Sequence, residues 1–157
     1  MNIELICLGK NQFSFVEEAI DIYQKRLNHY CNFSVIYLDN IKISNKINPD
    51  IVKEKEAEKL IEKFSDNDFI ILLDENGREF NSIEFADYIE KKMIYNDKKL
   101  KFVIGGAFGF SAKIKQRADA LVSLSKMTFS HQIIRTIFME QLYRAFTIIR
   151  NEKYHNN

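Results

Sequence analysis

The sequence predicts an α/β fold, a parallel sheet carrying helices on both faces. Three observations predict it. Apolar stretches with strand-like patterning alternate with stretches of helical period from one end of the chain to the other. The run Phe69-Ile70-Ile71-Leu72-Leu73 is apolar without alternation, as suits a strand buried on both faces. Turn residues close the apolar runs: Gly9 after the first, Asp74-Glu75-Asn76-Gly77 after the third, and Gly105-Gly106 after the fourth.

The elements follow in order. Ile3-Glu4-Leu5-Ile6-Cys7-Leu8 reads as the first strand. Residues 13–30 place Val16, Ala19, Ile20, Tyr23, Leu27 and Tyr30 on one helical stripe. Phe33-Ser34-Val35-Ile36-Tyr37-Leu38 is the second strand, and a polar loop with Asn40, Ser44, Asn45, Asn48 and Pro49 follows it. Pro49 stands where a helix can begin, since the first turn has no use for its missing N–H. The helix over 50–64 turns Ile51, Ala57, Leu60, Ile61 and Phe64 inward. The turn at Asp74-Glu75-Asn76-Gly77 ends the third strand, and the next helix carries Ile83, Ala86, Ile89 and Met93 on its apolar side.

The fourth strand, Leu100-Lys101-Phe102-Val103-Ile104, runs into Gly105-Gly106-Ala107-Phe108-Gly109. A short helix near 111–118 leads to the last strand, Ala120-Leu121-Val122-Ser123-Leu124. The closing helix, 130–150, carries Ile133, Ile134, Ile137, Phe138, Leu142, Ala145, Phe146 and Ile149 on one broad stripe, with Met139, Tyr143 and Ile148 beside it. One core needs a stripe of about 100°. The excess predicts a homodimer with this helix in the interface.

With 157 residues and no linker, repeat or low-complexity segment, the chain reads as one domain over 1–157. No window approaches the roughly 18 apolar residues of a membrane span, and the N-terminus lacks the basic and apolar regions of a signal peptide. The expectation is a cytoplasmic protein with no membrane partner. Cys7 and Cys31 lie far apart without a CxxC spacing, so they read as small buried side chains, and no metal is expected. Net charge is only +1, but residues 113–157 hold eight basic and three acidic side chains, leaving the rest of the chain net acidic. A basic C-terminal third suits an anionic partner.

In open α/β sheets, ligands bind beyond the carboxyl ends of the strands. Three such ends carry informative residues: Leu73-Asp74, the Gly105-Gly106-Ala107-Phe108-Gly109 loop, and Leu124-Ser125-Lys126-Met127-Thr128-Phe129. Glycine lets backbone approach a ligand and leaves N–H groups to bond it. The loop is neither a GxGxxG fingerprint nor a GK[ST] phosphate loop. Taken alone, Met127 and Phe129 read as core side chains.

The order of these motifs, followed by Ser130-His131, then Glu140-Gln141-Leu142-Tyr143-Arg144-Ala145, then a terminal Tyr154-His155, is more specific. It resembles the SPOUT-class large-subunit ribosomal RNA methyltransferases that methylate N3 of a pseudouridine. The resemblance runs end to end. It takes in Gly9-Lys10, Tyr23-Gln24-Lys25-Arg26-Leu27, Lys53-Glu54-Lys55-Glu56 and the Gly77-Arg78 turn.

It implies a C-terminal trefoil knot, a homodimer, S-adenosylmethionine as cofactor and ribosomal RNA as substrate, with the ribosome as the expected partner and the choice between free RNA and the assembled ribosome open. The implied cofactor positions are Leu73, Gly105, Leu124, Ser125, Lys126, Met127, Thr128 and Phe129. The implied catalytic residues are His155 as base, Tyr154 against the target nucleobase and Arg144 on a phosphate or the developing anion. Whether the tail acts in its own protomer or across the dimer stays open. These residue types suit the chemistry, because an imide nitrogen must lose its proton before it attacks a methyl donor.

His131 at the start of the last helix reads equally as a capping or packing residue, and His29 as a surface one. Two other readings remain. A dinucleotide-binding oxidoreductase would want GxGxxG after the first strand, which is missing, and an acid closing the second, which Asp39 could supply. A non-catalytic ribosome-binding dimer fits the basic end and the apolar last helix but leaves the two loops beside one pocket without a purpose.

Overall fold

The structure, a computed structural model, describes residues 1–41 and 48–155. Ser44 and Asn45, read above as loop residues, lie outside the described residues. Five parallel strands form one sheet in the order β2-β1-β4-β3-β5. In chain order these are β1 (Asn2–Leu8), β2 (Asn32–Leu38), β3 (Asp68–Glu79), β4 (Lys99–Ile104) and β5 (Ala120–Ser123). The helices between and after them are α1 (Ser14–Leu27), α2 (Pro49–Ile61), α3 (Ser82–Tyr95), α4 (Ala112–Arg117) and α5 (Ile133–Ile149).

Side chains alternate across each strand and so feed two cores. Ile3, Leu5, Cys7, Ile71, Leu100 and Phe102 face α1, α3 and α5. Ile6, Leu8, Ile70, Leu72 and Val103 face α2 and α4. Helices thus cover both faces of the sheet, and Cys7 and Cys31 are free and buried.

Local chemistry sets the helix starts. Pro49 opens α2, and the Asn48 side chain accepts from Asp50 N at 2.9 Å. Asn81 and Glu84 close a capping box on α3.

Four expectations change. The third strand does not end at 74–77. Those residues bulge out between Leu73 and Arg78, both paired with Val122, and the strand resumes to Glu79. The bulge is held by Asp74, whose carboxylate accepts from Asn76 N at 2.9 Å. It also requires Gly77, where a Cβ would stand 2.5 Å from Val122 N. Ile51 and Ile83 are exposed, and Val52 and Phe85 take the buried places instead, one and two residues along their helices. The closing helix begins at Ile133, after a turn, and β5 ends at Ser123.

The fourth change concerns the width of the α5 stripe. Every residue of α5 is buried or partly buried, with Phe138, Met139, Leu142, Ala145 and Phe146 in the core. The helix packs between α1 and α3 as well as on the sheet. Three neighbours within one chain take up much of the breadth that the sequence assigned to a second chain, while Ile133, Ile134, Ile137, Ile148 and Ile149 stay partly exposed.

Arg135 also works internally. It is fully buried, and its guanidinium donates to the Leu8 carbonyl at 2.6 Å and to Asn11 Oδ1 at 2.9 Å. Part of the basic excess of the C-terminal third is therefore structural. Among the described residues no helix is long and apolar enough to cross a membrane, and no three His, Cys, Asp or Glu side chains group as metal ligands would.

Candidate active site

Strands β4, β3 and β5 lie side by side, so their carboxyl ends open on one place. A cavity of about 570 Å³ sits there, the size of a nucleotide-class pocket. Its walls are Leu73 to Asn76 from the β3 bulge, Ile104 to Phe110 after β4, and Ser123 to Ser125 with Met127 to His131 after β5. Ile134 of α5 and Lys115 of α4 complete it.

The β4 loop is a tight turn, with Gly109 N donating to the Gly106 carbonyl at 3.2 Å and Gly109 at φ +73°. The β5 loop is tied by its own hydroxyls. Ser123 Oγ donates to the Ser125 carbonyl at 2.9 Å, and Ser125 Oγ accepts from Met127 N at 2.9 Å. Thr128 Oγ1 bonds Glu75 Oε2 at 3.0 Å, linking this loop to the β3 bulge.

One ion pair sits among these walls: Lys115 Nζ lies 2.8 Å from Asp74 Oδ2. Burial pushes the Asp74 pKa up, but Lys115 and the Asn76 N–H groups outweigh it and hold the carboxyl below its ordinary value. His131 is pushed the other way from a cation. Burial, reinforced by the Arg135 charge, lowers its pKa and favours the neutral ring.

Of the eight positions expected to hold a cofactor, seven line this cavity: Leu73, Gly105, Leu124, Ser125, Met127, Thr128 and Phe129. Lys126 does not. Its side chain is 86% exposed and its Nζ lies 3.8 Å from Glu79. Met127 is 73% exposed and Phe129 37%, so neither is the core residue that its type alone suggests. The β5 loop holds them at the cavity mouth.

The other three positions gather elsewhere. Arg144 grips Glu140 Oε1 through Nε at 3.1 Å and a terminal nitrogen at 2.6 Å. Its other terminal nitrogen lies 3.4 Å from His155 Nδ1. Tyr154 donates to Glu140 Oε1 at 3.2 Å, with the Arg144 guanidinium over its ring and the Tyr143 ring against it. Burial, then bonding to Tyr23 and the charge of Glu140, pushes the Tyr154 hydroxyl pKa up. The tail is docked, not frayed. Asn151 turns it at φ +55°, and Glu152 bonds the Tyr30 hydroxyl. Ten residues of helix separate Ile134 in the cavity wall from Arg144, about 15 Å at 1.5 Å per residue.

Sequence reasoning missed Lys115 as the partner of Asp74 and Glu140 as the hub of the tail cluster. The first pairing joins groups that no local period relates, whereas Glu140 and Arg144 stand at the i, i+4 spacing of one helix, a signal that could have found it.

The family model described as "Predicted SPOUT methyltransferase" matches residues 1–155. The chain belongs to the SPOUT methyltransferase family. Within curated proteins it is 47% identical over 156 residues to the "Ribosomal RNA large subunit methyltransferase H" of Christiangramia forsetii, covering 99% of each chain. It is 48% identical to the protein so named from Flavobacterium johnsoniae and 46% to that from Parabacteroides distasonis, again across 99% of both chains. A methyltransferase of this family needs a methyl donor, and the glycine-lined cavity is a concave site at the carboxyl ends of three adjacent strands.

Proposed function

We propose that this chain is an S-adenosylmethionine-dependent methyltransferase of the cytoplasm that methylates N3 of a pseudouridine in large-subunit ribosomal RNA, within the ribosome. It acts as one domain over 1–157, with the family's C-terminal knot, and as a homodimer. The observation that carries this reading is the cavity at the carboxyl ends of β4, β3 and β5 in a chain of a methyltransferase family.

The residues fit an adenosyl ligand. Leu73, Ile104, Leu124, Met127 and Ile134 give apolar walls for a purine, and backbone groups of the two loops read its edge. Asp74 and Glu75 supply carboxylates for a ribose or a cationic centre. When bound, the donor supplies a methyl group already activated on sulfonium, which leaves positioning and proton removal to the protein.

The tail cluster suits that second task. His155 takes the imide proton, Arg144 stabilises the anion that results, and Tyr154 packs against the uracil ring. The cluster is about 15 Å along α5 from the cavity, so the working site joins the cavity of one protomer to the tail of its partner. Lys10, Lys113, Lys126, Arg150 and Lys153 are exposed and available to RNA phosphates. A near-neutral chain binds bare RNA weakly, which favours the ribosome as substrate.

The test is transfer of labelled methyl from S-adenosylmethionine to ribosomes and to free ribosomal RNA, with the modified base mapped. Label at N3 of one large-subunit pseudouridine, on ribosomes above free RNA, is the expected result. Label on another molecule or another ring position contradicts it.

A further inference from the structure

Two buried polar atoms beneath the glycine turn have no hydrogen-bond partner among the described residues: Glu56 Oε2 on α2 and Ser111 Oγ before α4. Such atoms are rare in folded proteins and call for a reason. Glu56 is 7% exposed, although the other buried residues of α2 are the apolar Val52, Ala57 and Leu60. Packing α2 on the sheet does not call for an acid there.

The carboxyl lies against the turn that walls the cavity. A Cβ on Gly106 would stand 2.5 Å from Glu56 Oε1 and 2.8 Å from Oε2. Gly106 lines the cavity and Glu56 does not, so the turn lies between them. Leu8, Leu60, Phe110 and Ile114 give the carboxyl an apolar surround. The nearby cations are engaged elsewhere, Lys53 with Asp50 at 2.7 Å and Lys59 with the Asp39 carbonyl at 2.9 Å. Burial pushes the Glu56 pKa up against the pull of Lys59. A neutral acid costs far less than a carboxylate in such a place.

We propose that Glu56 is a positioning residue for the cavity: its carboxyl holds the Gly105-Gly106 turn from beneath and thereby sets the affinity for an adenosyl ligand. This rests on the reading of the cavity as the methyl-donor site. The turn is closed by its own Gly109 N to Gly106 carbonyl bond, a Cβ on Gly109 would meet open space, and the Phe110 ring lies 3.1 Å from a Cβ on Gly105. Support of this kind decides whether a binding loop is held in its productive geometry.

Glu56→Gln keeps the shape and a polar head, whereas Glu56→Ala removes the support. Both are compared with the parent by amide hydrogen exchange over residues 105–110 without ligand, by calorimetric titration with S-adenosylmethionine, and by thermal unfolding. A folded Glu56→Ala protein exchanges these amides roughly tenfold faster and binds S-adenosylmethionine roughly tenfold more weakly, and Glu56→Gln restores both to within about threefold of the parent. Gly106→Ala, which drives a methyl into the same carboxyl, weakens binding in the parent and regains it when combined with Glu56→Ala. Parental exchange in folded Glu56→Ala, or Glu56→Gln as impaired as Glu56→Ala, overturns the proposal. If Glu56→Ala does not fold, parental exchange and affinity in Gly106→Ala overturn it instead. A parent that binds no S-adenosylmethionine overturns the reading of the cavity, and the exchange rates still decide the role of Glu56.

Discussion

Asp74 and Lys115 meet at 2.8 Å in the cavity wall, joining the β3 bulge to α4. The same carboxylate closes the Asx turn on Asn76, so one side chain fixes both the bulge and a wall. Its pKa is lowered in the fold, so its stabilisation is present above the ordinary aspartate value and is lost as pH falls through the lower folded value. Asp74→Asn should therefore cost about 1 kcal/mol near pH 7. The gap between parent and variant should close below about pH 4. Urea unfolding at several pH values checks this, and a gap that widens in acid contradicts it.

Gly77 is required by the approach of β3 to β5, since a Cβ would meet Val122 N at 2.5 Å. Gly77→Ala should destabilise the protein by about 2 kcal/mol or more, as forced contacts do. Denaturant unfolding measures it.

Gly105 lies outside the left-handed region, so its backbone accepts a side chain. The space does not, because a Cβ would stand 3.1 Å from the Phe110 ring at the cavity wall. Gly105→Val should stay folded by circular dichroism and lose about 100-fold or more in S-adenosylmethionine affinity by calorimetry, because its branched side chain displaces Phe110 or fills the cavity. Parental affinity in the folded variant would put the donor elsewhere.

Deleting residues 154–157 removes Tyr154 and His155 from the cluster around Glu140. Cofactor affinity should hold, since the cavity wall lies about 15 Å away along α5, while methyl transfer to ribosomes should fall by orders of magnitude. His155→Ala alone should lose roughly 10²- to 10⁴-fold if it is the base. Transfer at the parental rate in the truncated protein would turn attention to Glu140 or His131.

The strands were legible because a strand buried on both faces has to be an apolar run, as residues 69–73 show. The β3 bulge was not. Asp74-Glu75-Asn76-Gly77 has the composition of a terminating turn, and only pairing of Arg78 and Glu79 with β5 shows that the strand goes on. Ile51 and Val52 are both apolar, and tertiary packing alone decides that Val52 is buried. Within the site, the run 124–129 was legible as a block, but the turn that sends the Lys126 side chain toward Glu79 depends on Ser125 bonding Met127 N. The motif order along the chain did not show that Tyr154 and His155 gather at Arg144 and Glu140, with Arg144 ten helical residues, about 15 Å, from Ile134 in the cavity wall.

That distance makes the dimer the center of the account, and sedimentation at micromolar concentration should give about twice 18.6 kDa. The most direct measurement mixes two inactive proteins, Gly105→Val and the 154–157 deletion, after unfolding and refolding them together. In a site shared between protomers, each mixed dimer joins one intact cavity to one intact tail. Random mixing should then restore about a quarter of parental methyl transfer to ribosomes. A mixture as inactive as its two components, with mixed dimers present, would contradict a shared site.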